Sequence, residues 1–207
     1  MQIYRARTST MWGWSAIGIG VLVAVLHVAS VGFAYAHGGL GLGAAIALFG
    51  YAAFLRPHVA AAEDRVEVHN VTQTVVVPFE RLESLDTRWT FEAVGDDGSK
   101  VGAFAAPAPG AATTRRHERD EKAQLAAGAA APIEPTRPGD RLGTPSGDAA
   151  AMVQRAWDEW RAAQPAPATA TGDAPVAAGP AVQRRPDWIG IALMTAGTAA
   201  ALWGLFS

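Results

Sequence analysis

The chain has 207 residues, half of them hydrophobic and 17% charged, with no cysteine and a net charge of −2. That length holds one ordinary domain or two small ones. The lack of cysteine excludes disulfide scaffolds, thiolate zinc sites and cysteine nucleophiles, and near-neutral charge excludes the basic surface that nucleic-acid binding requires.

The charge is also segmented: all 19 acidic residues lie between Glu63 and Asp187, and no charged residue occurs from Thr8 to Leu55 or after Asp187. The first uncharged block, about Met11 to Ala36, is long enough to cross a bilayer as a helix, with Trp12 and Trp14 at aromatic-belt positions and His27 at mid-span. A second block, about Gly39 to Leu55, is closed by Arg56-Pro57, and His37-Gly38-Gly39 reads as the tight connection of a hairpin. The third, Trp188 to Phe206, follows Arg184-Arg185-Pro186-Asp187. Arg5 and Arg7 ahead of an apolar run ending Ala34-Tyr35-Ala36 also have the layout of a cleavable signal peptide. The run exceeds a usual signal core and a second apolar helix follows at once, which favours a retained helix.

Arg5 and Arg7 precede the first helix, Arg56 follows the second, and Arg184 and Arg185 precede the third. The positive-inside rule then predicts a multi-pass protein of the inner (plasma) membrane, with residues 57–186 in the cytoplasm and the lipid bilayer as its first partner. Small residues recur every four positions at Gly39, Gly43 and Ala47, and at Ala192, Ala196, Ala200 and Gly204, as faces for close helix packing. His27 is a candidate functional residue within the membrane, since ionisable groups there are costly, but the favoured reading is a neutral imidazole paired with a neighbouring helix.

After Arg56 the pattern alternates. His58–Ala62, Arg65–His69 and Val71–Val77 read as short strands, and Pro78–Leu85 as a helical turn or bent edge. Arg88–Val94 is predicted as a strand with Trp89, Phe91 and Ala93 on one face, joined to Lys100–Ala105 through the turn Gly95-Asp96-Asp97-Gly98. The expectation is one small antiparallel sheet. Residues 107–143 read as a loosely ordered insert, and 146–163 as a closing helix capped by Ser146, with Val153, Ala156, Trp157 and Trp160 facing the sheet. Residues 164–186, rich in Ala, Pro, Thr and Gly, read as a disordered tether to the C-terminal helix of 187–207. The predicted class is membrane α-helical plus α+β.

Several strings occur in a familiar order: Trp12-Gly13-Trp14, Val66–Asn70, Val77-Pro78-Phe79, Asp86-Thr87-Arg88-Trp89, Ala105–Gly110, Arg119-Asp120-Glu121, Arg137-Pro138-Gly139-Asp140 and Ser146–Ala150. Together they resemble the bacterial PH-domain-containing membrane proteins of actinobacteria, from residue 1 to about Ala163. The resemblance implies a pleckstrin-homology-like fold closed by the 146–163 helix, and implies no catalytic residues. A phosphoinositide site would need several bases at one sheet mouth, whereas the first strand connection is Glu63-Asp64-Arg65, and Arg88 and Lys100 are the only bases of the later hairpin.

No catalytic motif is expected. His58 and His69 fall on separate strand segments, His117 in a charged loop, and Asp96-Asp97 suits a turn better than an acid pair. No enzyme, cofactor or metal is therefore predicted. The leading expectation is a non-catalytic membrane protein that presents its domain to a protein partner or an envelope-associated assembly. The alternatives are an accessory subunit of a transporter or channel, and an anionic-lipid sensor.

Overall fold

The computed structural model describes residues 1–126, 137–164 and 179–206. Three helices are long and apolar enough to cross a membrane: α1 (Arg7–Val31), α2 (His37–Gly50, continued by a π turn, Tyr51–Leu55) and the last helix, Trp188–Phe206. The α1–α2 connection lies earlier than expected. Gly32, at φ 76°, ends α1 with its N–H on Val28 O, and Phe33–Tyr35 forms a short 3-10 turn. His37, Gly38 and Gly39 already belong to the first turn of α2. A glycine is needed at position 32 because an L side chain rarely adopts that φ.

The sheet region is larger than the sequence suggested. A strand β1 (Gln2–Tyr4) precedes α1, and β2 (His58–Ala61), β3 (Arg65–His69) and β4 (Gln73–Pro78) follow α2. A 3-10 turn at Phe79–Arg81 leads to β5 (Leu82–Asp86), β6 (Thr90–Gly95) and β7 (Lys100–Pro107). After α3 (Ala111–Ala126) and α4 (Pro145–Ala163), β8 (Gln183–Pro186) runs into the last helix, α5 (Trp188–Phe206). The strands form two antiparallel sheets, ordered β1-β2-β3-β4-β8 and β5-β6-β7, where a single sheet was expected. The 3-10 turn after Pro78 breaks the ladder, so β5 starts a second layer.

One face of the five-stranded sheet carries Val59, Ala61, Val66, Val68, Val75 and Val77, all buried. They pack with Phe79, Phe91, Ala93, Val101 and Ala103, and α4 closes this core with Ala149, Met152 and Val153. Trp157 and Trp160 pack against the core as the stripe predicted: Trp157 Nε1 donates to Phe79 O at 3.2 Å, and the Trp160 ring lies 6.1 Å from that of Phe79. Burying aromatic area of this kind is a dominant source of core stability. The N-cap is Thr144, whose hydroxyl accepts from Gly147 N, and not Ser146. Pro145 takes the first helical position, where its missing N–H costs nothing. Ser146 instead donates to Gly139 O at 2.8 Å.

Trp89 departs from its predicted face. Phe91 and Ala93 are buried, but Trp89 sits in the β5–β6 turn before the strand begins and is 78% exposed. Two stretches expected to lack order are structured in part. Residues 111–126 of the insert form α3, and in the tether Ala181 and Val182 are buried while 183–186 pair with β4. Residues 137–143 of the insert hold a 3-10 turn, Pro138–Asp140, while 127–136 of the insert and 165–178 of the tether lie outside the described residues.

Candidate functional site

In α2, Gly39, Gly43 and Ala47 lie against α1, and Gly41, outside that set, lies against α5. A Cβ on Gly43 would lie 2.4 Å from Gly20 O, and one on Gly20 equally close to Gly43 O, with Ala47 also against Gly20. Gly39 rests on the His27 side chain, and Gly41 on Ala200 O and the Gly204 backbone. α2 therefore lies between α1 and α5, and close backbone approach of this kind is what small residues permit. On α5 the predicted face is only partly right. Ala200 and Gly204 meet α2, whereas Ala192 and Ala196 are exposed. Gly197, seven residues before Gly204, also meets α2, at Phe49. Four-residue spacing drifts around a helix, while seven residues return close to the same face.

His27 is not at mid-span. α1 starts at Arg7 and ends at Val31, which leaves His27 one turn from the helix end, against Gly38 and Gly39. Nearby, His37 meets Trp203 edge-on, ring centres 6.5 Å apart. This is a packed corner at the end of the helices remote from the sheets.

The polar groups gather at the opposite end, where the helices meet the five-stranded sheet. Register places His58 opposite His69, His69 opposite Thr74, and Thr74 opposite Arg185, so one row of the sheet's outer face carries all four. The two imidazoles stack with centres 4.2 Å apart and planes 9° from parallel. His58 Nδ1 donates to Arg56 O at 2.9 Å. His69 lies between the Thr74 hydroxyl at Nδ1, 3.1 Å, and Glu67 Oε2 at Nε2, 3.3 Å, while Glu67 Oε1 accepts from Arg65. Two residues apart in β3, Glu67 and His69 share a face. Burial, with the nearby His69, Arg5 and Arg56 charges, holds the His58 imidazole below its ordinary pKa; its bond to Arg56 O opposes this.

Two arginines from the helix ends complete the group. Arg5, between β1 and α1, donates from Nε to Pro57 O at 3.3 Å and pairs with no carboxylate among the described residues. Arg56 pairs with Asp187 at 2.8 Å, joining the end of α2 to the start of α5, and its Nη1 is buried without a hydrogen-bond partner. Burial pushes the Asp187 carboxyl up, but the Arg56 guanidinium and the Gly190 N–H outweigh it and hold the pKa below the ordinary aspartate value. Arg5, Arg56, His58, His69 and Asp187, with Trp14 and Tyr51, line a cavity of about 380 Å³.

The β3–β4 turn fixes the far side of this junction. Asp187 N donates to Thr72 O at 2.9 Å, and a Cβ on Gly190 would meet Val71 O at 1.8 Å, so only glycine lets α5 start there. Both polar ends of the Asn70 amide are engaged with β7, donating to Gly102 O and accepting from Phe104 N. A second cavity of about 650 Å³, mostly apolar, lies beside this turn between Trp12, Phe54 and Phe104.

Sequence reasoning missed this cluster. It held Arg5 and Arg56 only as topology markers and separated His58 from His69, which register makes neighbours. No group of three or more His, Cys, Asp or Glu side chains suited to a metal ion is found among the described residues. No family model, curated protein or solved structure matches the chain.

Proposed function

We propose that this protein is a non-catalytic inner-membrane protein whose PH-like domain, on the cytoplasmic face, is a fixed platform for a protein partner or an envelope-associated assembly. One observation carries this reading: the outer strands β1 and β8 belong to the segments that lead directly into α1 and α5. With the β2 connection at Arg56-Pro57, three chain crossings and the Arg56–Asp187 pair hold the sheet at the helix ends. A domain tied this way presents one constant surface, whereas a tether would let it rotate freely. The two packed sheets closed by α4 support the PH-like assignment, and the row of Arg5, Arg56, Arg184 and Arg185 at the same helix ends supports the cytoplasmic orientation.

Reporter fusions at Gly38 and within 127–136 test the topology. The expected result is an exported signal from the first and a cytoplasmic one from the second, and an exported signal from the second overturns the orientation. Purification of the intact chain from its native membrane, with a Trp89→Ala variant in parallel, tests the platform. Trp89 is exposed and makes no core contact, so its loss should reduce recovery of the partner and leave stability within about 0.5 kcal/mol.

A further inference from the structure

We propose that the cavity lined by Arg5, Arg56, His58 and His69 binds the phosphate group of an anionic membrane lipid. The site is separate from the platform surface but rests on the reading that α1, α2 and α5 cross a membrane.

The charge balance favours an anion. Among the lining residues Asp187 is the one acid, and Arg56 already neutralises it, so the Arg5 charge is left over. Donor capacity is also left over. Arg5 uses only Nε on the protein among the described residues, and His58 Nε2, which has no partner among them, becomes a donor when the ring takes up its second proton. A guanidinium fork beside an imidazole suits a phosphate, which accepts several charge-assisted hydrogen bonds at once.

Position favours a lipid as the source of that phosphate. Trp14 of α1 and Tyr51 at the end of α2 form the wall of the cavity that continues along the apolar helices, and both are exposed. A headgroup seated beside Arg5 would leave its acyl chains running along α1 and α2, with the two aromatic side chains at headgroup level. The cavity, at about 380 Å³, is large enough for a phosphate and its glycerol.

The stacked histidines make the site responsive to pH. His58 faces Arg5 from the β1–α1 connection, Arg56 from the end of α2 and His69 from β3, with Asp187 ahead of α5 lining the same cavity; Glu67 and Thr74 bond to His69, and Arg185 lies three strands away in the same row. Without a ligand the surrounding positive charge and burial oppose a proton on His58. A bound phosphate reverses that balance, so binding takes up a proton, and by linkage lower pH strengthens binding.

The test uses the full chain in neutral detergent and dihexanoylphosphatidylglycerol, whose single negative charge is constant between pH 5.5 and 8. Binding is followed by tryptophan fluorescence. The expected results are saturable binding that tightens several-fold from pH 8 to pH 5.5, and no comparable binding of dihexanoylphosphatidylcholine. Arg5→Gln should weaken binding about tenfold, the value of one charge-assisted hydrogen bond. Because Arg5 is exposed, this variant should fold. His58→Gln should abolish the pH dependence, so that its affinities at pH 5.5 and at pH 8 agree within twofold of each other. Equal binding of phosphatidylcholine, unchanged affinity in Arg5→Gln, or a pH slope that survives in His58→Gln overturns the site. Inorganic phosphate binding as tightly as the lipid overturns the lipid source. Detergent binding does not depend on which side of the membrane the sheet faces, so this test and the topology fusions fail independently.

Discussion

Asp97 shows how one side chain can hold a distant segment. Its carboxylate accepts from the Ser99 hydroxyl and N–H, as an Asx-type turn requires, and from Ala181 N at 3.0 Å. Those bonds, the Ser99 hydroxyl foremost, hold its pKa down to about 2. Because the folded pKa lies below the ordinary aspartate value, the contribution is fully present above that value and is lost as pH falls through about 2. Asp97→Asn retains an acceptor oxygen but removes the charge. Hydrogen exchange at Ala181 N–H should therefore be slower in the wild-type chain than in Asp97→Asn at pH 5, with the difference shrinking as pH falls through about 2. A difference of constant size over that range would show that Asp97 does not titrate with this contact. Gly95 cooperates from the same hairpin, since a Cβ there would lie 2.5 Å from Ala181 Cβ.

At the scale of elements, the glycines of α2 all meet a neighbouring helix, and Gly18 of α1, which meets nothing, supplies the control. A side chain on Gly43 would meet backbone at Gly20 O, 2.4 Å away, which a rotamer change cannot relieve, whereas one on Gly18 would meet nothing within 4 Å. Gly43→Leu should cost about 1–3 kcal/mol by overpacking, read as a fall in the thermal midpoint in detergent, and Gly18→Leu should leave that midpoint unchanged. Equal effects would mean that the substitutions act on helix propensity or insertion and not on the α1–α2 seam. The same scale explains what sequence reading could reach. The three apolar helices, β2 to β4, the Gly95–Gly98 hairpin and α4 follow from local periodicity and turn chemistry, and all are present in the fold. β1 and β8 escaped detection because three- and four-residue edge strands, Gln-Ile-Tyr and Gln-Arg-Arg-Pro, are too short to show alternation. The charges and proline of β8 suit an edge, which must resist further pairing. The site escaped for a related reason: Arg5, Arg56, His58, His69 and Asp187 come from distant parts of the chain, and only the pairing of β1, β2, β3, β4 and β8 brings the segments that carry them together.

For the whole molecule the question is whether the sheet is held against the helices or merely connected to them. β8 bears most directly on it, because the same segment completes the sheet, carries Arg184 and Arg185, and delivers Asp187 to Arg56 immediately before α5. Its own side chains are exposed, and it contributes backbone pairing with β4, the Arg184 hydrogen bond to Lys100 O at 2.9 Å, and the anchoring of Ala181 and Val182 beside it. Replacing Gln183–Pro186 with four Gly/Ser residues keeps the chain length and the apolar α5 but removes the edge charges and the proline and lowers strand propensity. Amide exchange along β4, from Gln73 to Val76, should then accelerate, and protection along β6 and β7 in the other sheet should persist. Local opening of this kind is the signature of a separately stable edge unit. If protection in both sheets falls together, β8 is part of one cooperative unit with the core. If β4 protection is unchanged, the pairing contributes nothing to holding the domain, and the platform reading would have to stand on the Arg56–Asp187 pair and the β1 connection alone.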